Sequence, residues 1–553
     1  MNPLQPLLRI LIITVIFFLI FILVWLFYCR CYRRGSIEPN GPYGTVSQPL
    51  NYATAKPNRV EGGKYPAFTP LGDENDRNDE FAYPVPDGPL RGTLAPTANA
   101  SQFLQIKKKK EDTPLGGAGD PVVFTDYDPL GTTSNVGSPP DMNAARGGNV
   151  ALLSYNSRVQ LTTDGAVNWT ERDPTTIFPS GAAKDANGNN LDRGFCCDQI
   201  IQYVPKIDRF IWLMQFCGTG PGSCLNGINK LRIASASPQD IVNSNLTAWT
   251  YWDLSSATFN LGNTTMDYPE MSVGDNFLYL SSDAVASGLF VVRIPLSEIQ
   301  NSQTINMGYT DPANGLVPRG GHISQNTGNE VFWAGHNNSS QMRVFSMKEG
   351  DNQYFWRDIN INSWNKGAIT SIAPDGTDWL SFGFPGNAVL GITRRNNNEV
   401  WFAWSAKPGN GFQNTHVQVV EINITNYSVI SQWQIWNNDY AFAYPSLATN
   451  ENGEVGISLA WGGKKNAGNN FGNHAVGILG DFVVWYPELS DAANPRWGDY
   501  VSVRRNSPNG RLYDASGYAV FKNTPPATGN RSDPYYIQFG RDSVVNGGAP
   551  DIK

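Results

Sequence analysis

Polar and apolar positions in this chain alternate as short apolar runs cut by polar turns, and one such unit recurs. Asn329-Glu330-Val331-Phe332-Trp333-Ala334 and Asn398-Glu399-Val400-Trp401-Phe402-Ala403 are nearly the same hexapeptide, and Asn452 to Ile457, with Glu454 and Val455 inside it, is a third relative. Looser copies follow the turns at Asn149, Asp208, Asp275 and Asn509. Apolar runs this short, bounded by Asn, Asp and Gly, predict strands rather than helices. Seven such markers, spaced by roughly 60 residues, leave room for four short strands per repeat, the period of a β-propeller. One blade cannot bury both of its faces, so blades stack around an axis. The expectation is an all-β fold, a β-propeller of seven blades over residues 119–545, with six or eight still compatible with the looser markers. Closure of the ring pairs strands from the two chain ends, and the start near Asp120 and residues 518–521 are its candidates.

The first part of the chain has another pattern. Residues 10–28 are apolar throughout except for Thr14. At 1.5 Å per residue such a run crosses a hydrocarbon core of about 30 Å. Cys29-Arg30-Cys31-Tyr32-Arg33-Arg34 comes next, with no small-x-small cleavage site, so the reading is an uncleaved single-pass transmembrane helix held in the lipid bilayer, behind a short tail of residues 1–9. Residues 29–118 have no sustained periodicity and are rich in Pro, Gly, Asn and Asp, which predicts an extended, disordered stalk. Residues 546–553 read as a loose tail. Arg30, Arg33 and Arg34 behind the segment favour a cytoplasmic domain. The Lys-poor, Asn-, Gly- and Trp-rich composition of the propeller favours an extracytoplasmic one, and that is the expectation adopted.

Composition narrows the function. A net charge of −7 speaks against a nucleic-acid partner, and the one dense basic run, Lys107 to Lys110, reads as a solvated segment. Charged residues make up 16% of the chain and aromatics 12%, which suits a turn-rich β protein and also supplies rings for sugar or protein contacts. Cys196, Cys197, Cys217 and Cys224 cluster in one blade, as two disulfides in any of three pairings or as buried thiols. A zinc site would want a Cys-x-x-Cys pair, which is missing, and Cys29 and Cys31 sit apart at the membrane boundary. His322, His336, His416 and His474 fall in different blades and predict no metal centre.

Thr162-Thr163-Asp164-Gly165-Ala166-Val167-Asn168-Trp169 resembles the Asp-box, Ser/Thr-x-Asp-x-Gly-x-Thr-Trp, with Asp164 and Trp169 in place and Ala166 and Asn168 departing from it. With Asp198-Gln199-Ile200, Asp267-Tyr268-Pro269, Tyr444-Pro445-Ser446 and Arg496-Trp497-Gly498-Asp499-Tyr500, the chain resembles the sialidase-like, Asp-box propeller superfamily over most of residues 120–540. The resemblance implies a propeller in which Asp164 caps a hairpin turn and Trp169 packs into the blade. It transfers no activity. Arg293-Ile294-Pro295 sits mid-domain, and no spacing ties Arg319, Arg394 and Arg504 into the arginine clamp of a sialidase.

Inner strands of a propeller begin at one mouth of the central channel. The residues just ahead of them are therefore the candidate ligand-binding set: Asp198, Asp267, Glu270, Arg319, His322, Tyr444 and Asp499. Carboxylates gathered there suit sugar hydroxyls or a structural divalent cation such as calcium, and no other cofactor is called for. The leading expectation is a membrane-anchored module that recognises a glycan, glycoprotein or protein through this funnel. The alternative is a tethered carbohydrate hydrolase or lyase working through carboxylates among Asp198, Asp267, Glu270 and Asp499.

Overall fold

All seven turn–strand markers fall at the same place in their repeats, the turn from the first to the second strand of a blade. This turn needs a left-handed residue, and Gly148, Asp208, Gly328 and Gly453 supply positive φ there in four of the blades. The computed structural model describes residues 46–62, 65, 101–103, 105–108, 121–127 and, apart from 180–191, 222, 286, 313–320, 382–387, 464–469, 482, 524–528 and 542–543, residues 139–544. The chain divides into two units, Met1–Ser47 and Gln48–Lys553.

The second unit is a seven-bladed β-propeller of antiparallel sheets. The innermost strands of blades 1, 2 and 3 are Asn143–Gly147, Phe195–Val204 and Met266–Val273. In blade 4 the inner position is taken by a short segment at Ile323, bridged to Trp333. Val389–Asn396, Ala441–Thr449 and Ser502–Arg505 begin blades 5, 6 and 7. Side chains of facing sheets interlock between the blades, and among the described residues nine tryptophans, Trp333 and Trp461 among them, are fully buried. The aromatic richness of the sequence is thus spent largely on packing between blades rather than on exposed loops.

Ring closure uses Pro121–Tyr127 as the outermost strand of blade 7. Its partner is Asn530–Arg541, with Tyr536 opposite Tyr127, and not residues 518–521, which lie one strand further in, within Tyr513–Lys522. Asp164 Oδ1 accepts the N–H groups of Val167 and Asn168 at 3.1 and 2.9 Å, and these bonds, that of Asn168 first, hold its carboxyl down to about 2. Trp169 packs on Tyr536 of blade 7 at 5.4 Å between ring centroids.

The region expected to be a disordered stalk differs from that reading where it is described. Asn51–Ala55 is a fifth strand on blade 3 and Asn58–Val60 a fifth strand on blade 2, both antiparallel. Leu50 N–H bonds the carbonyl of Asn352 on blade 4 at 2.9 Å, and Tyr65 N–H bonds Thr176 just past blade 1 at 3.1 Å. Ser101–Phe103 and Gln105–Lys108 then add parallel strands to blades 5 and 6. The segment forms a belt that covers blade edges, which would otherwise offer unpaired N–H and C=O groups. The expected transmembrane helix at residues 10–28 and the tail at 546–553 lie outside the described residues. Among the described residues no helix is long and apolar enough to cross a membrane.

Truncation probes the belt. A chain that begins at residue 119 leaves Ile305–Tyr309 and Trp249–Ser255 as bare edges. It is expected to lose about 2 kcal/mol in urea unfolding and to form aggregates on size-exclusion chromatography. A truncated chain that stays monomeric with an unchanged midpoint would show the belt to be dispensable.

Candidate functional site

The mouth where the inner strands begin is shaped by a repeated irregularity. The pairing register shifts between Phe195 and Gln199 in blade 2, between Asp267 and Glu270 in blade 3, and between Ala443 and Ser446 in blade 6. In blades 3 and 6 the shift falls on Tyr-Pro, at Tyr268-Pro269 and Tyr444-Pro445. Proline has no N–H for the ladder, so the strand must bulge there. Asp141, Tyr268 and Tyr444 stand at matching positions of three blades with φ of 45°, 53° and 53°. Non-glycine residues held in the left-handed region are strained, and such strain concentrates at binding and catalytic sites.

These bulges help build a buried cluster. Asp499 accepts from Arg496 Nη2 at 2.7 Å, and its own backbone N–H donates to Asp141 Oδ1 at 2.9 Å. Tyr268 Oη–H donates to the carbonyl of Asp499 at 2.9 Å. Tyr268 stacks on His322 at 5.3 Å between centroids, and Tyr500 meets both rings edge-on at 5.6 and 6.0 Å. Burial holds the Tyr268 phenol well above its usual range, and the charges of Asp499, Asp141 and Asp198 add to that. Tyr500 is raised in the same way, by burial and then by Asp198 and Asp141. Both phenols therefore stay protonated beside three carboxylates. The Tyr500 hydroxyl, fully enclosed, has no hydrogen-bond partner among the described residues.

Trp379 and Trp497 meet edge to face, their ring centroids 6.0 Å apart. They arrive on two irregular crossings, from the connection between blades 4 and 5 and from that between blades 6 and 7, tied by Trp497 N–H to the Trp379 carbonyl at 3.1 Å. Trp497 is sandwiched between Tyr444 and Tyr518, at 5.7 and 4.4 Å.

Next to the buried cluster an ion pair spans the channel. Arg504 Nη2 of blade 7 donates to Glu270 Oε1 of blade 3 at 2.7 Å, and these blades are not neighbours in the ring. The other carboxylate oxygen lies 3.6 Å from His322 Nδ1. Burial, which outweighs the Glu270 charge, pushes the His322 pKa down and keeps the ring neutral. His322 Nε2 is buried with no hydrogen-bond partner among the described residues.

Of the residues singled out in the sequence, Asp198, Glu270, His322, Tyr444 and Asp499 come together at this mouth. Asp267 instead accepts from Gln215 of blade 2 at 2.9 Å. Arg319 lies outside the described residues. Sequence reasoning missed Asp141, Tyr268, Trp379, Arg496, Trp497, Tyr500, Arg504 and Tyr518, although Asp141, after Pro139-Pro140, and Tyr500, after Asp499, carry the same strand-entry signal. The four cysteines form Cys196–Cys197 and Cys217–Cys224, both buried, with Cys196 and Cys197 inside the bulge that ends on Asp198.

No protein-family model matches the chain, and no curated protein does. Among solved structures, the alpha-L-arabinanase of Penicillium chrysogenum complexed with arabinobiose aligns with 10% identity over 76% of this chain and 99% of that one, at a TM-score of 0.35. An alpha-L-arabinofuranosidase of Fusarium graminearum in complex with an iminosugar inhibitor gives 12% identity over 77% and 99%, also at 0.35. The propeller domain of the Trilobed protease of Pyrococcus furiosus gives 9% identity over 68% and 90%, at 0.30. At these scores none of the three bears on what the chain does.

Proposed function

We propose that this propeller is a carbohydrate-recognition module whose ligand binds at the buried cluster of Asp141, Asp198, Tyr268, Asp499 and Tyr500. The observation that carries the reading is the convergence of Asp141, Asp198 and Asp499 on the protonated phenols of Tyr268 and Tyr500, with Trp497 just before Asp499 in the chain. Carboxylates accept hydrogen bonds from sugar hydroxyls, phenols donate to ring and hydroxyl oxygens, and indole faces stack on the C–H face of a pyranose or furanose. The cluster is buried in this structure, so a ligand reaches it only when the side chains around it part. The strained backbone at Asp141, Tyr268 and Tyr444 supports a site held ready for a ligand.

Glycan-array binding by the full chain tests this. Saturable binding is expected, with Asp198→Asn and Trp497→Ala each weakening it by about tenfold or more. Binding that both variants retain, or none at all by a folded chain, sinks the reading.

One observation favours a hydrolytic variant of the same site. Glu270 lies 3.6 Å from His322 Nδ1, and Nε2 is buried with no hydrogen-bond partner among the described residues, which puts a neutral imidazole beside a carboxylate as a candidate general base. Turnover of a bound glycan that His322→Gln abolishes without loss of binding would convert the module into an enzyme.

A further inference from the structure

The opposite mouth of the channel, where the inner strands end, holds a cavity of about 380 Å3. It lies on the far side of the ring from the strand entries, and the reading of the buried cluster does not involve it. Five blades contribute to it, and its lining includes Arg146, Gln202, Gln325, Asn326, Arg504 and Arg505. The volume is that of a small-molecule site.

The charges around it do not cancel. Arg504 is 5% exposed; its Nη2 is spent on Glu270, while its Nε has no hydrogen-bond partner among the described residues. Arg146 donates from Nε to the Gly148 carbonyl at 2.7 Å, and its charge acts on the buried carboxyl of Asp514 behind it. Arg505 is different. Its Nε donates to the Thr449 carbonyl at 2.9 Å, and it makes no salt bridge among the described residues, though the charge of Glu451 acts on it. Of the lining residues one carries a carboxylate, Asp275, which is exposed at the rim. Gln202 and Gln325 tie their amides to each other at 3.2 Å and to the Met271 carbonyl at 2.9 and 3.0 Å, giving a rigid polar wall.

We propose that this mouth is a second ligand site, for a small molecule bearing a carboxylate or phosphate group, held by Arg505 with the open Nε of Arg504 below it. A guanidinium with free N–H groups in a partly enclosed cavity binds an oxyanion by charge-assisted hydrogen bonds, and the fork geometry rewards the planar or tetrahedral oxygens of these two groups.

Isothermal titration of the full chain with inorganic phosphate and, separately, malonate tests the site; neither probe is a sugar, so the outcome does not depend on the buried cluster. Saturable binding of at least one is expected, and which one binds tells phosphate from carboxylate recognition. Arg505→Gln should weaken it by about tenfold or more, Arg505→Lys by less, and Asp198→Asn not at all. Arg505 is exposed, so these variants are expected to fold, and an unchanged melting midpoint verifies it. Absence of binding for both anions, or equal binding by Arg505→Gln, overturns the proposal.

Discussion

Arg504→Ala is expected to destabilise the propeller by about 3–5 kcal/mol, among the largest losses a single substitution can cause here. The pair it breaks is buried at both ends, with side-chain exposures of 6% for Arg504 and 4% for Glu270. Removing the guanidinium leaves a buried carboxylate with only the Met271 N–H and a neutral imidazole beside it, so Glu270 must take up a proton or draw water inward. The pair also joins blades 3 and 7 across the axis, so its loss frees both inner strands at once. The companion variant Arg504→Met/Glu270→Leu discards both charges together and is expected to recover most of the loss, because two apolar groups need no compensation. Urea unfolding of the three chains decides the matter. An Arg504→Ala midpoint equal to that of the parent would mean that water already answers the Glu270 charge.

Acid is expected to weaken the fold well above the carboxylate range. All four histidines of the chain are buried and depressed in pKa by burial: His336 and His474 to about 3, His416 to about 4, and His322 downward. Their unfolded value is near 6.5, so the unfolded chain takes up protons that the folded one refuses. Stability on this account is complete above pH 6.5 and is lost progressively as pH falls from there toward the folded values of about 3 to 4. At pH 5 each of His336, His416 and His474 contributes a loss of about 2 kcal/mol, and the three together about 6 kcal/mol. Asp514 and Glu330, raised by burial, act in the opposite sense nearer pH 4.

His336 isolates the effect. Its ring sits between Trp364 and Trp404, at 4.8 and 4.5 Å, and neither nitrogen has a hydrogen-bond partner among the described residues. His336→Phe is therefore expected to match the parent at pH 7 and to exceed it by about 2 kcal/mol at pH 5. Parallel stability–pH curves for the two chains would refute the assignment.

The ring of blades was legible because its repeat is a local necessity. A tight turn into a buried second strand demands Gly, Asn or Asp ahead of apolar residues, and the chain writes that demand seven times. The bulges at Tyr268-Pro269 and Tyr444-Pro445 were not read from the sequence, although proline interrupts a ladder wherever it stands. Trp379 and Trp497 were not legible. They lie on irregular crossings without periodicity, and their meeting joins residues 118 positions apart (497 less 379). The cross-channel pair escaped notice because the sequence shows which residues begin and end inner strands but not which of them meet across the axis. The belt was silent for another reason. A strand that lends its backbone to an edge needs no apolar face, and Tyr52, in the middle of one, is 62% exposed.

That belt reverses the order of synthesis. Residues 51–60 emerge from the ribosome early, yet their partner strands in blades 2 and 3 are made about 200 residues later. Pro121–Tyr127 waits longer still, because its partner Asn530–Arg541 is made about 400 residues later. The belt must stay unseated while the ring is built behind it, and Asn530–Arg541 is the clasp. A nascent chain cut short anywhere before residue 530 therefore carries an open ring, and a chaperone or protease that reads bare strand edges can tell it from the finished protein.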